Sequence, residues 1–190
     1  MTLDSTARLA RIEATRDLQD ALALFDELSA VKVAELHGAW KGSGVDTGNA
    51  FDGLLEKFGW WGKRFDDADN AHPLVFEDKR GKFNVNPAGL PMGFVVRNAA
   101  VLHNGAVATI TKRVLRLRRT HEPRARLRMI EYRGVVTGTM SYDALPINDH
   151  FRKIDDNTLL GVMDLRGATA PFVFLLRRTG SAGELAWNLR

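Results

Sequence analysis

Cysteine is absent from this 190-residue chain, which removes disulfide scaffolds, thiolate zinc sites, iron–sulfur clusters and cysteine nucleophiles from consideration. The absence fits a reducing compartment, and the cytoplasm is the expected one. No apolar run approaches the ~18 residues a membrane-spanning helix needs. Asp4, Arg8, Arg11 and Glu13 interrupt the apolar core that a signal peptide would require near the N-terminus. Internal repeats, low-complexity tracts and domain linkers are missing as well. We therefore expect one globular barrel domain in two parts, a helix-decorated part over 1–100 and a strand-rich part over 101–190.

Metal and nucleic-acid signatures are equally scarce. His37, His72, His103, His121 and His150 are dispersed, with no His-x-x-His spacing, so no metal site is expected. The expected cofactor set is empty, with haem on one axial histidine as the alternative. Charge is uneven: residues 1–70 carry 8 Lys and Arg against 13 Asp and Glu, net −5, while 71–190 carry 19 against 10, net +9. Eight basic residues crowd Lys112 to Arg128 against Glu122 alone. Such a stretch suits an amphipathic anion or an anionic membrane surface, or it is a solvated strand face. Nucleic acid is disfavoured, because no helix-turn-helix, RNP-like aromatic motif or metal finger accompanies the charge.

What is present is a run of short alternating segments near the C-terminus. Leu127–Gly134, Val135–Tyr142, His150–Ile154, Asn157–Leu165 and Pro171–Arg178 are parted by Gly, Asp-Asn or Pro, the pattern of an antiparallel meander. Upstream, Ile12, Leu18, Leu22, Phe25 and Leu28 recur at helical spacing and predict one helix over Ser5–Leu28. Val31–Leu36 reads as a short helix or an extended approach. Gly38–Gly44 reads as a strand with small residues at alternate positions. Asn49 or Asp52 is a candidate cap for a helix through Leu54, Leu55, Phe58, Trp61 and Phe65, which would carry Trp60 and Trp61 about 100° apart. One of those two would then line a portal or a partner surface. Phe76–Val85 predicts a hairpin turning at Asp78–Gly81. Residues 86–93 form a Pro- and Gly-rich loop and candidate lid. Phe94–Asn98 and Val107–Arg119 predict strands around an Asn104-Gly105 turn.

Gly38-Ala39-Trp40-Lys41-Gly42 matches the motif for which the GXWXG protein family is named, and the chain resembles that family. Residues 126–134, Met140-Ser141-Tyr142-Asp143, Leu145-Pro146-Ile147, 149–153, 160–164 and Phe174–Arg178 resemble its companion C-terminal domain of unknown function. The resemblance implies a fold more than an activity. A glycine–x–tryptophan near the first strand is also similar to the signature of lipocalin-like barrels, in which a Trp plugs one end. The expected fold is thus α+β: an antiparallel barrel or strongly curved meander sheet, with N-terminal helices over one opening.

Closed barrels of this size hold side chains or one small ligand. The expected function is binding of a hydrophobic or amphipathic molecule, a lipid such as a fatty acid or phospholipid first among them. Candidate ligand contacts are Arg128, Tyr132, Tyr142, His150, Met140, Met163 and Trp40. Arg128 supplies bidentate donors to an acidic head, with Tyr142 or His150 adding to it, while flexible methionines adapt to a tail lying among Phe94, Val96, Ile130, Met140, Met163 and Phe174. No catalytic residue is assigned. The enzymatic alternative places acid–base chemistry on His150, Tyr142 and Asp143, and a further alternative is a protein-interaction barrel using Trp60 and Trp61.

Overall fold

Arg16 ends the first helix earlier than the apolar spacing predicts. In the computed structural model, which describes residues 2–49, 51–90 and 104–179, Arg16 adopts φ +54°. The single expected helix is therefore two, α1 (Thr2–Thr15) and α2 (Leu18–Glu27). Asp17 caps α2, its carboxylate accepting from the Asp20 amide at 3.0 Å. Arg8 ties the pair together through Asp20 and Glu27. The helices bury Ile12, Leu22, Leu24 and Phe25 against Ile154, Leu160, Val162, Val173 and Leu175. These belong to the outer wall of the sheet, so the helices clad a wall rather than cover an opening.

The described residues form eleven strands, and every pairing is antiparallel. They are β1 (Ser29–Ala30), β2 (Gly38–Gly44), β3 (Trp60–Phe65), β4 (Ala71–Asp78), β5 (Gly81–Val85), β6 (Arg119–Thr120), β7 (Ala125–Tyr132), β8 (Val135–Tyr142), β9 (Ile147–Asp155), β10 (Thr158–Leu165) and β11 (Phe172–Arg178). Their order runs β3-β2-β11-β10-β9-β8-β7-β4, and a further β3–β4 pairing returns the path to its start. Eight strands thus close into a ring, which removes most free edges. β5 and β6 extend from β4, and β1 pairs with β9. The predicted hairpin and meander are present. Val33–Glu35 is a short 3-10 turn.

Two further segments differ from expectation. Gly59, at φ +89°, stops the helix after α3 (Leu54–Phe58), and Trp60 to Phe65 continue as a strand. Trp60 and Trp61 therefore alternate across a sheet instead of sitting on a helix. Val107–Arg119 is largely helix, α4 (Gly105–Leu117), opened by the Ala108 amide donating to the Asn104 carbonyl. Its β-branched residues favour strand by propensity, but Val107, Thr111 and Leu115 recur every four residues, and Val107 and Leu115 pack against the core. The predicted strand Phe94–Asn98 lies outside the described residues. No helix among those described is long and apolar enough to cross a membrane.

The ring interior is the main core, filled by Trp40, Phe65, Leu127, Met140, Phe151, Phe174 and Leu176. Trp40 is fully buried, its indole N–H donates to the Leu36 carbonyl at 2.7 Å, and the Arg178 guanidinium lies 4.1 Å from its ring centre. Gly42 is small for a reason. A Cβ there would lie 2.2 Å from the Trp60 ring, so the second glycine of the motif makes room for the indole of the next strand.

Candidate functional site

An apolar cavity of about 140 Å³ lies inside the ring, between its walls and the helices α3 and α4. Phe51, Leu54, Phe76, Leu115, Met163 and Phe172 are typical of its lining. Among the described lining residues only Lys63 and Asp149 carry charge, and each is almost wholly buried.

A β-bulge aims Lys63 inward. Strict alternation from Trp60, which lines the cavity, would send Lys63 to the outer face. The β3–β4 register shifts on both sides of Gly62, and the extra residue reverses the alternation. Gly62 sits at φ +147°, and a Cβ on it would lie 2.0 Å from the Trp40 carbonyl oxygen, so the bulge needs glycine. Trp61 meanwhile packs with Ala39 and Val75, under the Lys82 ammonium.

Asp149 arrives by ordinary alternation. Ile147, Asp149 and Phe151 belong to the interior, and Asp149 pairs in register with Met140 across β8. Lys63 Nζ donates to Asp149 Oδ2 at 2.7 Å and to the Pro73 carbonyl at 3.2 Å. The ammonium also stands 5.1–5.7 Å from the ring centres of Phe174, Trp60 and Tyr142. Burial pushes the Asp149 carboxyl up, against the pull of Lys63 and the Tyr142 hydroxyl. The Tyr142 phenol is pushed well above its usual range by burial and by the neighbouring Asp149. Asp149 Oδ1 accepts no well-formed hydrogen bond, and neither does the Trp60 indole N–H donate one. The cavity therefore ends in a compact polar group of Lys63, Asp149 and Tyr142.

Of the residues singled out from sequence, Tyr142 and Met163 line this cavity. Met140 and Trp40 are buried in the same core but do not line it. The rest lie elsewhere. Arg128 is exposed on the outside, paired with Asp69 at 2.6 Å and bonded to the Ala68 carbonyl, because its strand turns Leu127 inward instead. It cannot meet a head group in the ring. Tyr132 and His150 lie on the outer face beneath α2, their rings stacked 3.9 Å apart and parallel within 2°. His150 Nδ1 shares a hydrogen bond with the Thr139 hydroxyl at 2.9 Å, and burial lowers its pKa to about 4. Asp143 is exposed and pairs with Arg126 at 2.9 Å. The expected His150–Tyr142–Asp143 constellation is thus spread over two faces of the sheet and the surface. Of the proposed tail contacts, Phe174 lines the cavity, and Phe94 and Val96 lie outside the described residues.

Sequence reasoning missed Lys63 and Asp149. Asp149 carried a usable signal, since it shares a strand face with Ile147 and Phe151, opposite His150. Lys63 carried none, because its strand read as helix and the bulge inverts its side. No described histidine lines the cavity, so its described residues offer haem no axial imidazole. No cluster of metal-ligating side chains occurs among the described residues. The basic stretch is largely neutralised: Arg116 pairs with Asp78, Arg124 with Glu122, Arg126 with Asp143 and Arg128 with Asp69, and Arg118 bonds backbone carbonyls.

Nothing among curated proteins matches the chain. A crystal structure of a protein from Thermomonospora curvata is similar to it, with 31% identity and a TM-score of 0.66 over 93% of this chain and 99% of that one. Residues 123–178 match the Domain of unknown function (DUF4334). Residues 23–81 match the GXWXG protein family, and they include both the Trp40 motif and the bulge that turns Lys63 inward. With its motif, its C-terminal domain and a relative matched over nearly its whole length, the chain belongs to the GXWXG protein family.

Proposed function

We propose that the protein binds a small hydrophobic or amphipathic molecule inside a lipocalin-like barrel, its apolar part in the cavity and its polar part against Lys63, Asp149 and Tyr142. The observation that carries this reading is an apolar cavity whose described charged side chains are one buried, mutually paired couple. Pockets of this kind, apolar walls with few convergent polar groups, are the usual form of small-molecule sites. A cavity of about 140 Å³ is near the size that accepts one benzene ring. The buried portion of a lipid would therefore be a ring or a short chain, and an acidic head on Arg128 is no part of this proposal.

An anionic membrane surface is the partner this reading favours for delivery. α4 carries Lys112 and Arg113, besides the Arg116 paired with Asp78, and no acidic residue, and it exposes Ile110, Val114 and Leu117 beside the cavity lined by its Thr111 and Leu115. Binding to anionic vesicles that weakens with salt is the expected result. Equal binding to neutral vesicles would remove this partner.

The direct test is thermal stability with 1-hexanol. Ligand at a hundred times its Kd should stabilise the wild type by about 2.7 kcal/mol, and Leu115→Trp, which fills the cavity, should abolish the shift. No shift with any small amphiphile would overturn the reading. A second reading, acid–base chemistry on the bound molecule, is favoured by the raised carboxyl of Asp149 beside Tyr142 and Lys63. It predicts conversion of the molecule recovered from purified protein, lost in Asp149→Asn while binding persists. Recovery of that molecule unchanged would remove it.

A further inference from the structure

Resting on the cavity reading above, we infer that the site selects neutral molecules carrying a hydroxyl group over acids and over plain hydrocarbons of the same shape. The polar end of the cavity holds one cation and one anion 2.7 Å apart, so it is neutral as it stands. A carboxylate ligand would place a second anion beside Asp149 in a water-poor site, where like charges disfavour each other. An ammonium ligand would meet Lys63 in the same way.

A neutral donor meets no such opposition. Asp149 is 1% exposed, and its Oδ1 is a buried acceptor with no well-formed hydrogen bond among the described residues, the Tyr142 hydroxyl standing beside the carboxylate, while Oδ2 is taken by Lys63. A buried acceptor of this kind gains from any donor brought to it. Lys63 has little left to offer, since Asp149, the Pro73 carbonyl and three aromatic rings surround its ammonium. Trp60, another lining residue, keeps an unpartnered indole N–H. Two lining residues thus keep one unpartnered acceptor and one unpartnered donor, and a hydroxyl group is the smallest neutral function that is both. A carbonyl or ether could use only the donor, and a hydrocarbon neither.

The test compares toluene, p-cresol and 4-methylbenzoate, which share one ring and methyl group, by NMR titration at pH 7. The expected order in the wild type is p-cresol tightest, by at least about tenfold over toluene for one hydrogen bond to a charged acceptor, with 4-methylbenzoate weakest. Asp149→Asn should erase the p-cresol advantage and improve 4-methylbenzoate, because Lys63 then lacks its counter-charge. Should that variant fail to fold, the wild-type order decides alone. Toluene matching p-cresol, or 4-methylbenzoate binding tightest, would overturn the hydroxyl inference and leave the cavity reading standing. Binding of none of the three would overturn both.

Discussion

Asp149 and His150 are neighbours in one strand, and they show how differently the two faces of this sheet treat a polar side chain. On the inner face, Asp149 joins Lys63 and Tyr142 at the end of an open cavity and keeps an acceptor without a partner. On the outer face, His150 is sealed between Thr139, Tyr132 and the cladding helices, in a neutral form that burial enforces. Arg152, also on that face, is 1% exposed and lies 5.1 Å from the Phe25 ring centre. Burial alone therefore does not mark a functional group. What separates the faces is space: the inner polar group borders room for another molecule, and the outer one borders packed side chains.

The sharpest way to break this contrast is to remove the bulge that creates the inner group. Gly62→Ala places a Cβ against the Trp40 carbonyl oxygen at a backbone angle alanine rarely adopts. We expect a loss above roughly 4 kcal/mol, read by chemical denaturation. A fully stable Gly62→Ala protein would show that the bulge does not hold Lys63 in place.

Next in size is the ion pair. Lys63→Ala should cost about 3–5 kcal/mol, because it strands Asp149 as an uncompensated buried charge. The double variant Lys63→Met with Asp149→Leu should cost far less, since apolar replacements remove both charges together. Equal losses in the single and double variants would mean that the couple is not buried as described.

The smallest effect belongs to the outer face. His150 has a folded-state pKa of about 4 against 6.5 ordinarily, so between these values the unfolded chain binds more protons. Stability from this group is complete above about pH 6.5 and is lost as pH falls toward 4, by on the order of 2–3 kcal/mol. Asp52, pushed up to about 6 by burial, works in the opposite direction, because the folded state then holds the extra proton over its window. Subtracting the pH profile of His150→Gln from that of the wild type cancels Asp52 and isolates the histidine. A flat difference between pH 7 and pH 5 would contradict the sealed, neutral imidazole. The same variant should leave p-cresol binding within about twofold, as the His150 side chain lies on the face away from the cavity.

The sequence made the meander legible, because the segments from Ala125 to Arg178 are short, strand-prone and parted by turn residues. It also made the Trp40 motif legible as a buried plug, through glycines whose smallness has few other uses in a strand. Two features escaped it for physical reasons. Trp60 to Phe65 has apolar spacing that fits a helix, and only the left-handed Gly59 and the bulge at Gly62 make it a strand. In α4 the β-branched residues argue for strand, while packing over the cavity settles on helix. The chemical type of a His, Tyr, Arg, Met or Trp marks what it can do and not which face it takes. Arg128 and His150 fell on the outer face because nothing in alternation tells inside from outside.

In the proposed complex the cavity takes a ligand whose polar group meets Asp149. Crystals grown with p-cresol test it most directly. The ring should lie among Phe76, Leu115 and Met163, with its hydroxyl oxygen within about 3.0 Å of Asp149 Oδ1. A ring bound elsewhere on the protein, or one in the cavity with its hydroxyl turned away from Asp149, would contradict it.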